Sequence, residues 1–317
     1  MHLERAPAPK KSILVTGGLG FVGGHLVDRL IGAGASHILV LDNHKRPVTD
    51  AQNWPTDTVE LIDGDIRDRS VLAAAIRDCD LVYHLAAQSN VMGAISDPDY
   101  AVSTNVGGTL NVLLAAGEAG VRRVVFTSSR EVYGDPDHVP IPEDAPLLPK
   151  NIYGASKAAG EMYCRALGNG RPEVVILRLT NVYGSRDRDR VIPLFLYGAF
   201  QGASLTVYGG EQIIDFVWID TVVKALLRVG FGDYVSEPLN IGSGVGVTVL
   251  DLAHRILDLV PSTSRCVRLP SRDMEVTRFV ADISRAQSTV DLPSPGEPLT
   301  HLPQLVDQIR KEAILLA

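Results

Sequence analysis

Short, largely apolar runs recur along the first half of the chain: Ile13–Thr16, His37–Leu41, Val59–Ile62, Leu81–Leu85, Val124–Thr127 and Val174–Leu179. They are apolar at consecutive rather than alternate positions, as a strand buried on both faces of a parallel sheet must be. Between most of them lie amphipathic stretches of helical character, such as Val22–Ala33, Ser70–Arg77 and Val102–Ala119. Strand and helix in alternation predict an α/β fold, a doubly wound parallel sheet with helices on both faces. Beyond about Tyr183 the rhythm changes. A charged loop at Arg186–Arg190 leads to a helix near Ile192–Gln201, a short strand at Leu205–Tyr208 and a strand-to-helix passage over Phe216–Val229. Helices are expected over Thr248–Val260 and Leu299–Glu312, and Pro261–Glu275, rich in Pro, Ser and Arg, reads as loop. The predicted organisation is a large unit over 1–180, to which 214–230 returns, and a smaller mixed α/β unit over 181–317. A cleft between them is the default ligand site.

Composition narrows the function classes. The chain has 317 residues, 45% hydrophobic and 21% charged, enough to bury a core without disulfides or a metal. A net charge of −7 argues against a nucleic-acid partner. Cys79, Cys164 and Cys266 form no paired motif, and the histidines show no ligand spacing, so no metal is expected and a reducing cytoplasm fits. No run approaches the length of a membrane span. Met1–Lys11 is charged and Pro-containing and reads as a loose tail rather than a signal peptide.

The first strand runs into Gly17-Gly18-Leu19-Gly20-Phe21-Val22-Gly23 and then a helix. In a Rossmann-type unit such glycines allow a tight turn, close approach of a pyrophosphate and close helix–strand packing, and the helix N-terminus faces the phosphates. Asp42 ends the next strand at the offset of a carboxylate that meets an adenosine ribose, which favours NAD over NADP. Its alternative reading is a strand-end turn residue, and the following Asn43-His44-Lys45-Arg46 could host a phosphate.

Tyr153-Gly154-Ala155-Ser156-Lys157 puts a phenol and an ammonium four apart, on one helix face. An adjacent cation favours the phenolate, which makes Tyr153 a candidate general base. Ser129 ends a buried strand at the carboxyl edge of the sheet, where ligands bind in open α/β folds.

With these pieces in order, the chain resembles the extended short-chain dehydrogenase/reductase superfamily, in its NAD-dependent nucleotide-sugar epimerase/dehydratase branch. The resemblance rests on TGGLGFVG (16–23), Asp42, GDIRD (64–68), HLAAQ (84–88), TNVGGT (104–109), TSSREVYG (127–134), YGASK (153–157) and LRLTNVYG (177–184). It continues with GGEQIIDF (209–216), NIGSG (240–244) and RDMEVTRFVAD (272–282). It implies Ser129, Tyr153 and Lys157 as catalytic groups. NAD would be held by Gly17, Gly20, Phe21, Val22, Gly23, Asp42, Asn43, Asp65, Ile66, Leu85, Ala86, Ala87, Asn105 and Thr127, with Tyr153 and Lys157. The resemblance also implies Asn181 and Arg272 as contacts to the sugar nucleotide's diphosphate; Gln88, Ser129, Arg130, Arg190 and Tyr208 are further candidates for the substrate pocket. The reaction implied is transient C4 oxidation of a sugar carried on a nucleotide diphosphate, with a UDP-sugar expected.

Two departures bear on the outcome. The family's usual arginine within Gln-x-Arg-Asp-Phe is Ile214 here, so its contact to the diphosphate is lost. Arg186, Arg188 and Arg190 could replace it, or could form a solvated, salt-bridged loop. Glu131, two residues after Ser129, would share its side in a continuing strand and matches a glutamate of dehydratases and decarboxylases. Arg130 stands where many dehydratases carry an acid, and it cannot donate a proton at neutral pH. The simpler reading of Glu131 is an ion pair with Arg130. C4 epimerisation is the leading outcome. A 4,6- or 5,6-dehydratase, or a uronate decarboxylase using Glu131 as base, is the alternative, and a non-catalytic NAD-binding sensor or scaffold is a third. Helices over Val102–Ala119 and Gly154–Leu167 correspond to those that pair relatives into homodimers.

Overall fold

The computed structural model describes residues 12–168, 170, 172–271 and 276–315. The strands are β1 Ser12–Thr16, β2 Ile38–Asp42, β3 Val59–Asp63, β4 Cys79–His84, β5 Arg123–Ser129, β6 Glu173–Leu179, β7 Asn181–Tyr183, β8 Leu205–Tyr208, β9 Ile213–Trp218, β10 Leu239–Ile241, β11 Gly246–Thr248 and β12 Cys266–Leu269. The helices are α1 Phe21–Gly32, α2 Arg69–Ile76, α3 Val91–Ser96, α4 Pro98–Val102, α5 Thr109–Glu118, α6 Ile152–Leu167, α7 Val191–Phe200, α8 Ile219–Phe231, α9 Val249–Leu259, α10 Ser284–Val290 and α11 Leu302–Leu315.

Seven parallel strands form the main sheet in the order β10-β6-β5-β4-β1-β2-β3. Side chains alternate between its faces, and both faces are covered. Ile13, Val15, Val40, Leu81 and Val125 pack with residues of α1 and α8. Leu14, Leu39, Leu41, Val82 and Val124 pack on the other face with residues of α2, α5 and α6. This two-sided burial is the physical reason the strands read as unbroken apolar runs. The chain leaves β1 toward β2 and β3 on one side and continues with β4, β5, β6 and β10 on the other. The order therefore reverses between β1 and β4, and a crevice opens there at the carboxyl ends of the strands.

The remaining strands build two small sheets, β11-β9-β7 and β12-β8. With α7, α9 and α11 they enclose a second apolar cluster around Phe195, Leu196, Phe216, Leu252 and Leu305. β12 lies inside the stretch expected to be loop. It pairs in parallel with β8, Cys266 opposite Leu205 and Leu269 opposite Tyr208. Its side chains are mostly exposed, so the order comes from backbone pairing and leaves no apolar signature. The helix expected over Val102–Ala119 is interrupted by a π-helical turn at Ser103–Gly108, which separates α4 from α5. Such turns insert one extra residue per helical circuit and often mark functional sites.

Candidate active site

The glycine turn after β1 fills the crevice wall. Gly17 has φ +72°, and a Cβ on Gly23 would lie 2.2 Å from the Gly17 carbonyl oxygen, so neither position tolerates a side chain without movement. Asp42 fastens this turn to the end of β2: its Oδ2 accepts from Leu19 N at 3.0 Å and its Oδ1 from His44 N at 2.9 Å. The resulting cleft, about 350 Å³, is lined by Gly17, Gly20, Phe21, Val22, Gly23, Asp42, Asn43, Asp65, Ile66, Leu85, Ala86 and Ala87. A glycine cradle beside a helix start, with a carboxylate at the next strand end, fits a dinucleotide pyrophosphate and ribose. The Asp65 carboxyl is held down at about 2; burial works against this and is outweighed by hydrogen bonds from Arg67 and Asn43. The basic residues after Asp42, Lys45 and Arg46, border this cleft already paired. Lys45 pairs with Asp97 and lies 3.2 Å over the Tyr100 ring, and Arg46 pairs with Asp189.

A second cavity of about 240 Å³ adjoins the first and shares Val22, Leu85, Ala87, Ser89 and Arg190 with it. Ser129, Arg130, Glu131, Tyr153, Lys157, Thr127, Thr180 and Asn181 face it. α6 brings Tyr153 and Lys157 to the same side. Lys157 Nζ donates to Thr127 O at 2.9 Å, and Tyr153 shares a hydrogen bond with Ser129. Burial raises the Tyr153 phenol above its usual range, with Arg190 and the Ser129 hydrogen bond pulling the other way. Burial lowers Lys157 to about 8. The chain's own cations thus do not bring the phenol below its ordinary value, contrary to the expectation from helical spacing alone.

The start of α6 is clamped to the residues after β5. Asn151 caps the helix by accepting from Gly154 N at 2.9 Å, while its Nδ2 donates to Glu131 Oε2 at 2.7 Å. A Cβ on Gly154 would lie 2.4 Å from Glu131 O, so helix and turn touch backbone to backbone. β5 ends at Ser129, and Arg130–Val132 form a 3-10 turn. The strand alternation expected to align Glu131 with Ser129 is therefore absent. Glu131 still reaches the cavity because the turn presents it, with Oε1 2.9 Å from Arg130 Nη2.

Several predicted residues lie elsewhere. Asn105 is not in the cleft wall; it sits one layer behind, in the π-helical turn. Its Oδ1 accepts from Gln88 N at 2.8 Å and its Nδ2 donates to Ser156 Oγ at 2.9 Å, tying the loop after β4 to α6. Gln88 lines the dinucleotide cleft rather than the second cavity. Tyr208 ends β8 and is absent from both walls. Arg272 lies outside the described residues. Ile214 packs beside the smaller apolar cluster. Of the arginines near it in role, Arg186 pairs with Asp28, while Arg190 pairs with Asp187 and lines both cavities. Sequence reasoning missed Thr180 and the capping Asn151. Only the pattern of Asn three residues before Gly154 at a helix start could have signalled the latter.

The profile of the NAD dependent epimerase/dehydratase family matches residues 13–242. UDP-glucuronic acid decarboxylase 1 of Danio rerio is 34% identical over 293 residues, covering 88% of this chain and 68% of its own. The crystal structure of UDP-glucose 4-epimerase from Thermotoga maritima, determined with UDP-glucose, superposes with a TM-score of 0.87 at 30% identity, covering 95% and 99% of the two chains. That of dTDP-glucose 4,6-dehydratase from Streptomyces venezuelae, with NAD bound, gives 0.88 at 30% identity, covering 95% and 97%.

Proposed function

Because the chain belongs to the NAD-dependent epimerase/dehydratase family, we propose that it oxidises C4 of a nucleotide-diphosphate sugar, a UDP-sugar first, and returns the hydride to give the C4 epimer. The observation that carries this is the meeting of Tyr153, Ser129 and Lys157 in a cavity that shares a wall with the glycine-lined cleft. NAD would supply hydride-transfer chemistry when bound. Gly17, Gly20 and Gly23 would admit its pyrophosphate, and Asp42 would meet its adenosine ribose. Lys45 and Arg46 are already paired, which supports NAD rather than NADP.

Tyr153 takes the proton of the 4-hydroxyl, and Ser129 donates a hydrogen bond to the same oxygen as charge grows there. Lys157, fixed by Thr127 O, holds positive charge beneath the phenol side of the site. Asn181 and Arg190 hold the diphosphate. Glu131 has both oxygens engaged, by Arg130 and Asn151, which favours a structural anion over a mobile base at C5. The relatives include dehydratases and decarboxylases, so the product decides. The chain is incubated with NAD and candidate sugar nucleotides in heavy water, and products are read by NMR. A C4 epimer without deuterium at C5 is expected. Exchange at C5, or loss of water or CO2, ends the epimerase reading in favour of the dehydratase or decarboxylase alternative.

We also propose a homodimer. Val102, Leu114, Met162 and Tyr163 leave apolar surface exposed on the two helical segments that the resemblance singles out for pairing. Light scattering showing a monomer overturns it.

A further inference from the structure

Two buried polar atoms in the wall of the sugar-side cavity have no partner: Arg130 Nη1 and Thr180 Oγ1. A buried donor left unmade costs about 1–3 kcal/mol, so such atoms mark where a ligand completes the structure. Their placement is joint. Ser129 pairs in register with Leu179, and Arg130 and Thr180 are the residues that follow at the two neighbouring strand ends. The rest of the Arg130 guanidinium is fixed. Its Nε donates to Asn181 Oδ1 at 2.5 Å, its Nη2 pairs with Glu131 at 2.9 Å, and its plane lies 5.8 Å from the Phe279 ring. One nitrogen of the guanidinium, Nη1, therefore remains, next to Ser129 and beside a hydroxyl that can also donate.

A guanidinium nitrogen with a hydroxyl donor beside it suits a carboxylate, which can turn one oxygen to each and makes a charge-assisted bond with the guanidinium even though Glu131 shares its charge. A neutral hydroxymethyl oxygen can accept from both donors but brings no charge to either bond. We propose that Arg130, with Thr180, is the specificity element for the sugar, and that the sugar carries a carboxylate: a nucleotide-diphosphate hexuronate. This rests on the C4-oxidation reading for the identity of the cavity, and it names the substrate that the reading left open. The Arg130–Glu131 pair then has a purpose beyond neutralisation, because Glu131 holds the guanidinium in the orientation that leaves Nη1 free.

Binding is measured first, by calorimetry on the NAD-loaded protein with UDP-glucuronate and UDP-glucose. The uronate is expected to bind on the order of 100-fold more tightly. In Arg130→Gln that ratio collapses to within about tenfold, and in Arg130→Lys it is partly kept, since charge survives but the planar group that Asn181 and Glu131 orient does not. Using the ratio within each variant cancels any general loss from disturbing Asn181 or Glu131. Equal or tighter binding of the neutral sugar by the unmodified protein overturns the proposal, as does a ratio that survives Arg130→Gln. Turnover is read separately by NMR. If the uronate binds selectively but no C4 chemistry follows with any sugar, the reaction reading fails and the specificity assignment stands. If the neutral hexose is bound and turned over in preference, the reverse holds.

Discussion

The two ends of the catalytic crevice are built from different materials. At the dinucleotide end the part of the wall beside β1 is main chain: a glycine turn, a helix start, and Asp42 with both oxygens already spent on backbone amides. At the sugar end Ser129, Tyr153, Lys157 and Asn181, with Arg130 and Thr180 just past the ends of β5 and β6, place polar side chains among apolar ones. Backbone can recognise a group that never changes, because it cannot itself be substituted. Side chains can be exchanged one at a time, so they suit the part of a ligand that differs from one enzyme to the next.

The contrast can be broken most decisively at Tyr153. Tyr153→Phe is expected to cut turnover by about 10²–10⁴-fold while the NAD dissociation constant, from fluorescence titration, stays within about threefold. Parallel loss of NAD affinity would place the tyrosine with the dinucleotide end. Gly23→Ala tests the opposite end. Its new Cβ meets the Gly17 carbonyl, which costs about 1–3 kcal/mol and should lower the melting temperature and weaken NAD together. Unaltered melting and affinity would show that the turn yields readily. Asn151→Ala removes a helix cap and one hold on Glu131, for about 1 kcal/mol in urea unfolding, with NAD binding intact.

The smallest effect is one of slope. Lys157 is lowered to about 8 from an ordinary 10.5. Between those values the unfolded chain holds a proton that the folded one lacks, so this residue makes stability rise with pH there, and contributes no slope below about 8. Urea midpoints at pH 7.5 and 9.5 should show that rise in the parent and less of it in Lys157→Met. Identical slopes would mean the ammonium is not desolvated as described.

Much of this was legible in advance. β3 at the sheet edge, with Glu60, Leu61 and Asp63 exposed, is the exception, but the inner strands β1, β2, β4 and β5 read as apolar runs because both faces are covered, and that pattern survives in sequence. So did Gly17, Gly20 and Gly23, whose spacing reflects steric contact. What escaped notice has a common cause. β12 is held by backbone hydrogen bonds under exposed side chains, so nothing in its composition reports it. Asn105 serves from behind the wall, and a motif cannot distinguish a residue that touches a ligand from one that holds the toucher. The Tyr153 phenol was expected to fall because a lysine lies one turn away, but spacing carries no information on burial, which acts more strongly. Glu131 was aligned by strand alternation across a point where the strand has already ended.

The backbone contact at Gly154 has a practical consequence for anyone redesigning this enzyme. A library randomised at 130 and 131 samples new chemistry on an unmoved frame, since those side chains hang from a turn whose main chain is fixed by its neighbour. One randomised at 154 shifts the bearing on which base and alcohol are aligned, and most of its members should be inert whatever sugar they are offered.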